Sequence, residues 1–162
     1  MEANLQHAIE LYTAGKLEEA REQLLQLVTA NPKHPQTLYY TASVHDSLGL
    51  EREAVPYYRA ALDNGLTGSE RAEAFLGLGS TYRALGEYQQ AVETLQQGVQ
   101  EFPQQRALQV FLAMALYNVQ RHAEAMELVL RIIAETSSNE DIQTYRRAIL
   151  FYAPQLNQVW EA

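Results

Sequence analysis

The sequence predicts an all-α solenoid: about four helix-turn-helix units in one continuous array, closed by a further C-terminal helix. Three observations predict it. A glycine with an alanine five positions on recurs as Gly15/Ala20, Gly49/Ala54 and Gly86/Ala91, at strides of 34 (49 − 15) and 37 (86 − 49) residues. Self-similarity at that stride marks stacked repeats. The segments that follow, KLEEAREQLLQLV, EREAVPYYRAAL, EYQQAVETLQQGV and RHAEAMELVLRII, superimpose as amphipathic helices, each preceded by another apolar-periodic stretch such as TLYYTASVHDSLG. Strand signals are missing: no period-two alternation and no Asn-Gly hairpin occurs.

The units are read as residues about 1–34, 35–71, 72–105 and 106–138, a closing helix about 139–153 and a tail 154–162, all in a single domain. The first two turn at Gly15 and Gly49. Three extra residues in the second fall around DNGLTGSERA, a loop by composition. The third contains FLGLGSTYRALGEY, whose glycines pose a choice between a phosphate loop and a helix. A phosphate loop needs a buried strand before it and a Lys or backbone nest after it, and neither is present. Gly79 is therefore read as a small residue at a close helix approach, a place filled by Ala8, Ala42 and Ala113 elsewhere. Gly86 is read as a left-handed cap. Gly77 shows no such reason and should cost about 1 kcal/mol against alanine in a helix. The fourth unit keeps Ala125 but has Gln120 where the turn glycine belongs. Ser138 followed by Asp141 marks the start of the closing helix, which carries Ile142, Tyr145, Ile149 and Tyr152 at helical spacing, and Pro154 ends it.

At this point the chain resembles the tetratricopeptide repeat (TPR) family. The third unit carries the pattern most fully, with Phe75, Leu78, Gly79, Tyr82, Gly86, Ala91, Leu95 and Pro103. The first keeps Ala8, Leu11, Gly15, Ala20, Leu24 and Pro32. The second keeps Leu38, Ala42, Gly49, Ala54, Tyr58 and Ala61, with His45 for tyrosine. The fourth keeps Leu112, Ala113, Leu116, Ala125, Val129 and Ile132. The resemblance implies that the first helices line a concave groove taking an extended peptide or a partner helix. By register the groove residues are Tyr39, Tyr40 and Ser43, then Leu76, Ser80 and Arg83, then Val110, Met114 and Tyr117, with Arg146 and Leu150 continuing on the closing helix. That mixture of aromatic, aliphatic and isolated polar groups suits peptide recognition. Family members that clamp chaperone C-terminal carboxylates use Lys, Asn and Arg. The matching positions here are Leu5, Ile9, Tyr40, Glu73 and Gly77, so the resemblance implies no such clamp.

Composition narrows the function further. The net charge is −8, from 12 Lys+Arg against 20 Asp+Glu, and no basic run exists. Nucleic-acid binding rests on clustered cations, so no nucleic-acid partner is expected. There is no cysteine, hence no disulfide and no thiolate site. Neither a signal peptide nor an apolar run of the roughly 18–20 residues that span a membrane is visible, and the expected place is the cytoplasm. Ser43-Val44-His45-Asp46-Ser47 holds the residue types of a hydrolase triad, but adjacent helical residues point apart. His45 is instead read as packed beside Thr41, with Ser43 and Asp46 facing outward. His7, His34, His45 and His122 lie in separate units without metal spacing. No cofactor, metal or catalytic residue is expected. One stripe remains: Leu5, Ile9 and Tyr12 on the first helix, on a face other than that of Ala8 and Leu11. It either packs within the first pair or forms a homodimer contact with another copy. Trp160 in the tail either lies on that copy or folds back on the closing helix.

Overall fold

A computed structural model describes residues 2–161. The helices are α1 (Glu2–Thr13), α2 (Leu17–Ala30), α3 (Pro35–Ser47), α4 (Glu51–Asp63), α5 (Gly68–Ala84), α6 (Tyr88–Glu101), α7 (Arg106–Asn118), α8 (His122–Thr136), α9 (Glu140–Thr144) and α10 (Arg146–Tyr152). A 3₁₀ turn at Ala153–Gln155 follows, and no strand occurs among the described residues.

Within each unit the turn is the same object. Gly15, Gly49 and Gly86 have φ of 75°, 74° and 77°. The amide of the next residue reaches back five positions: Lys16 to Leu11, Leu50 to His45, Glu87 to Tyr82 and Arg121 to Leu116, at 2.8–2.9 Å. This is the left-handed closure that satisfies orphan carbonyls at a helix end. Gln120 adopts it too, at φ 65°, so the fourth turn survives the loss of glycine with a strained side-chain-bearing residue.

The hairpins stack through a continuous apolar interior. Its first part joins Leu5, Ala8, Leu11, Ala20 and Leu24 to Val44 of the next unit. The larger part runs from Leu38 to Ala125, with Phe75, Leu95 and Leu108 fully buried. Gly79 is where it was needed: a Cβ there would press into the Leu95 side chain of α6. Gly77 also has a reason, contrary to expectation. A Cβ would lie 2.6 Å from Cζ and the hydroxyl of Tyr58, so glycine makes room for that ring.

Two boundaries differ from the sequence reading. The loop around residues 63–72 is only 64–67, because α5 begins at Gly68. Leu66 is buried in the loop, and Arg71 ties it down. Its guanidinium donates to the carbonyls of Leu62 and Leu66 at 3.1 and 3.3 Å and grips Glu101 with two bonds of 2.6 and 3.0 Å. The closing helix starts one residue later than expected, since the Asn139 side chain accepts from the amides of Asp141 and Ile142. It is also broken at Tyr145 into α9 and α10. Of its expected packing stripe, Ile142 and Ile149 are half-buried, whereas Tyr145 and Tyr152 are 65% and 47% exposed.

Candidate functional site

Consecutive first helices approach one another directly (α1 to α3, α3 to α5, α5 to α7), whereas among the described residues no second helix comes within 8 Å, Cα to Cα, of another second helix. A stack bends toward the side on which its elements lie closer, so the first helices form the inner face. Successive units place Leu5, Tyr39, Leu76 and Val110 in one row along this face, and Ile9, Ser43, Ser80 and Met114 in the next. Tyr12, Asp46, Arg83 and Tyr117 form a third, each at the strides of 34 (39 − 5), 37 (76 − 39) and 34 (110 − 76). The stripe Leu5, Ile9 and Tyr12 therefore belongs to the same inner surface and is not an outer end face.

Polar bonds lace the first helices together across units. Tyr39 donates to Glu73 at 2.6 Å, and Tyr40 and Gln36 donate to Glu70 at 3.1 and 2.8 Å. Tyr12 and Ser47 share a 3.3 Å bond, and Arg83 Nε donates to Asn118 Oδ1 at 2.9 Å. Asp46 accepts from Thr81 at 3.2 Å and from Tyr58 at 3.4 Å. Tyr40 sits edge-on to both Tyr39 (4.9 Å between centroids) and Tyr12 (6.3 Å). Burial, then the Glu73 bond and charge, push the Tyr39 hydroxyl far up. Burial, then the Glu70 charge, push Tyr40 up to about 12. Both therefore stay neutral donors. Burial also raises the Asp46 carboxyl, partly offset by the Thr81 and Tyr58 hydroxyls.

The expected groove residues fall into three groups. Tyr40, Leu76, Ser80, Arg83 and Val110 are half-buried, and Met114 and Tyr117 are exposed. Tyr39 and Ser43 are buried, a correction: the Tyr39 ring packs into the interior beside Tyr58, and Ser43 donates to the Tyr39 carbonyl at 3.0 Å. Ser43 and Asp46 thus do not face outward, although His45 is buried with its ring 2.7 Å from the Thr41 carbonyl as expected. Leu5 is buried with Ala8 and Leu11, so it offers no surface to another copy; Ile9 and Tyr12 are half-buried on the same cluster. Trp160 folds back onto the closing helix, its ring 5.4 Å from Tyr152 and 6.0 Å from Phe151. The sequence analysis did not foresee Glu70, Glu73, Asp46 and Asn118 as partners of bonds between units. Their signal is the stride itself, since the bonds from Gln36 and Tyr39 span 34 residues and those from Thr81 and Arg83 span 35.

The groove does not continue onto the closing helix. No Cα of α9, α10 or the 3₁₀ turn lies within 8 Å of α7; all three pack on α8. Arg146 is exposed and donates Nε to the Ala134 carbonyl at 3.2 Å, and Leu150 is half-buried there, so neither extends the row of first helices. The reason is legible one unit back. Arg146 and Arg147 stand 34 residues after Leu112 and Ala113 (146 − 112 and 147 − 113). Those two are buried in α7. A guanidinium at each place could not be buried there unpaired; the closing helix is broken at Tyr145 and packs on α8 instead. What it leaves is a cleft of about 420 Å³ between α7 and α8, lined by Arg83, Val110, Met114, Tyr117, Met126 and Val129 among others. The corresponding surface one unit earlier is sealed: Val92 and Leu95 are 2% and 0% exposed, whereas Met126, 34 positions after Val92, is 48% exposed.

The family model "Tetratrico peptide repeat" matches residues 35–156. No curated protein matches. Among solved structures, a crystal structure of MamA aligns with a TM-score of 0.70 at 18% identity, over 90% of this chain and 91% of that one. YrrB, described as a TPR protein with an unusual peptide-binding site, aligns at 0.65 and 16% identity, over 96% and 86%. A putative kinesin light chain with TPR-like repeats from Podospora anserina aligns at 0.67 and 25% identity, over 96% and 86%.

Proposed function

We propose that this chain, which belongs to the tetratricopeptide repeat family, is a non-catalytic adaptor that holds a segment of a partner protein in its inner groove. One observation carries the reading: on the inner face the first-helix side chains Tyr40, Leu76, Ser80, Arg83, Val110, Met114 and Tyr117 stay half-buried or exposed along three successive units. It offers aromatic and aliphatic area at Tyr40, Met114 and Tyr117, with isolated hydrogen-bonding groups at Ser80 and Arg83. Peptide surfaces combine those features because apolar contact supplies affinity while a few polar groups fix register. The groove residues are those of the expectation less Tyr39, Ser43, Arg146 and Leu150. Among the described residues no helix is long and apolar enough to cross a membrane.

Affinity capture from the native host, read by mass spectrometry, tests the reading. Tyr40→Ala and Tyr117→Ala together should lose the captured protein while thermal unfolding stays cooperative. Capture that is unchanged in this variant removes the groove assignment. Self-association through α1 is the second reading, now resting on the half-buried Ile9 and Tyr12, since Leu5 is buried. Light scattering on Tyr12→Glu against wild type decides it: a dimer that becomes a monomer supports it, and two monomers or two dimers remove it.

A further inference from the structure

We propose that the cleft between α7 and α8 receives an amphipathic helix of the partner protein, seated as α7 itself is seated on α5 and α6. The solenoid supplies the template, because every first helix after α1 lies in the slot made by the preceding hairpin. α7 fills that slot for the third unit with Leu108, Leu112 and Ala115, at i, i+4 and i+7, all buried. Leu108 comes against Gly98 there, 3.1 Å from where a Cβ would stand. For the fourth unit the chain's own next helix carries Arg146 at the position of Leu112 and Arg147 at that of Ala113, and it packs on α8 without reaching α7. The slot is open, apolar and of helix-receiving shape by repetition.

Charge narrows the occupant. Arg83 projects from α5 to the edge of the cleft, and its one side-chain hydrogen bond goes to the neutral Asn118 amide; it forms no ion pair with a carboxylate among the described residues. His122 lines the same rim. A cation at the edge of an apolar slot pairs best with a carboxylate. The occupant is therefore a helix of about 13 residues, the length of α7, with an apolar-apolar-small stripe at i, i+4, i+7 and an acidic side chain flanking it. This deepens the adaptor reading by naming the partner element and its seat, and it rests on that reading only for the partner being a protein.

The test uses the whole chain and a capped, fluorescent helical peptide with leucine, leucine and alanine at i, i+4 and i+7, one flanking glutamate and polar residues elsewhere. Fluorescence anisotropy should show saturable binding to wild type. Met126→Glu should weaken it at least about tenfold, and because Met126 is half in solvent its thermal unfolding should match wild type. Arg83→Gln should weaken it several-fold, and a glutamine in place of the peptide's glutamate should remove that difference. Tyr40→Ala should leave it unchanged, which separates the slot from the part of the groove around Tyr40. Binding that is absent up to about 1 mM, or equal in Met126→Glu, overturns the proposal. So does a dimer of the chain that Met126→Glu abolishes, since the slot then belongs to a second copy. Host-protein capture lost in Tyr40→Ala but kept in Met126→Glu would also sink it while leaving the groove reading intact.

Discussion

Replacing Arg146 by leucine and Arg147 by alanine gives the closing helix the residues that α7 carries one unit earlier, at Leu112 and Ala113. If the two guanidinium groups alone keep this helix off α7, the double variant should let it swing into the open slot. Full burial of the new leucine contributes about 2 kcal/mol. Met126 and Ile133 are now 48% and 38% exposed, and covering them adds about 1 kcal/mol each on the same scale. The Arg146 bond to the Ala134 carbonyl is lost, costing about 1 kcal/mol. The net expectation is a gain of about 2–3 kcal/mol, an upper estimate because unfolded chains already bury some apolar area. In a chain of this size that raises Tm by roughly 4–12 °C. Circular dichroism melts read the stability. A Met126→Cys change in both backgrounds reads the slot, since the chain has no other cysteine, and thiol labelling should slow markedly in the double variant. An unchanged or lowered Tm, with the introduced thiol labelled as fast as before, would refute the account of why the slot is open.

Three further expectations follow from the stack. Gln120→Gly should stabilise by about 0.5–1 kcal/mol by relieving a left-handed backbone, and Gly86→Ala should destabilise by about 1–2 kcal/mol, both read by urea unfolding. Gly79→Ala should cost about 1–3 kcal/mol by pressing on Leu95, and Leu95→Ala about 2–5 kcal/mol by opening a cavity. Together they should cost clearly less than the two combined, because the new methyl enters the vacated space; additive costs would mean the helices do not meet there. Asp46 has a raised carboxyl in the folded state, so the folded chain binds its proton more tightly than the unfolded one. Its contribution is then most favourable below the ordinary aspartate range and is lost as pH rises through the folded value. Asp46→Asn should accordingly gain stability relative to wild type at neutral pH, with the gain shrinking as pH falls, as chemical denaturation across pH would show.

The repeat was legible because each unit must bury the same face against the next. Gly15, Gly49 and Gly86 mark its turns, and Ala8, Ala42, Gly79 and Ala113 its close approaches. The stride also places the inner rows, including Leu5, Ile9 and Tyr12. Burial within a row was not legible. Tyr39 and Tyr40 are adjacent tyrosines, yet one turns inward onto Tyr58 and the other lies between Tyr12 and Glu70.

Local sequence determined the all-helical elements, their turns and their pairing, since periodicity and backbone preference act over a few residues and repeat unchanged. Tertiary structure alone decided which inner side chains remain accessible, why Gly77 must lack a side chain, and that the last helix leaves its slot. Those outcomes depend on what arrives from a neighbouring unit about 34 residues away: a Tyr58 ring, a Glu73 carboxylate, or two arginines that cannot follow Leu112 and Ala113 into the interior.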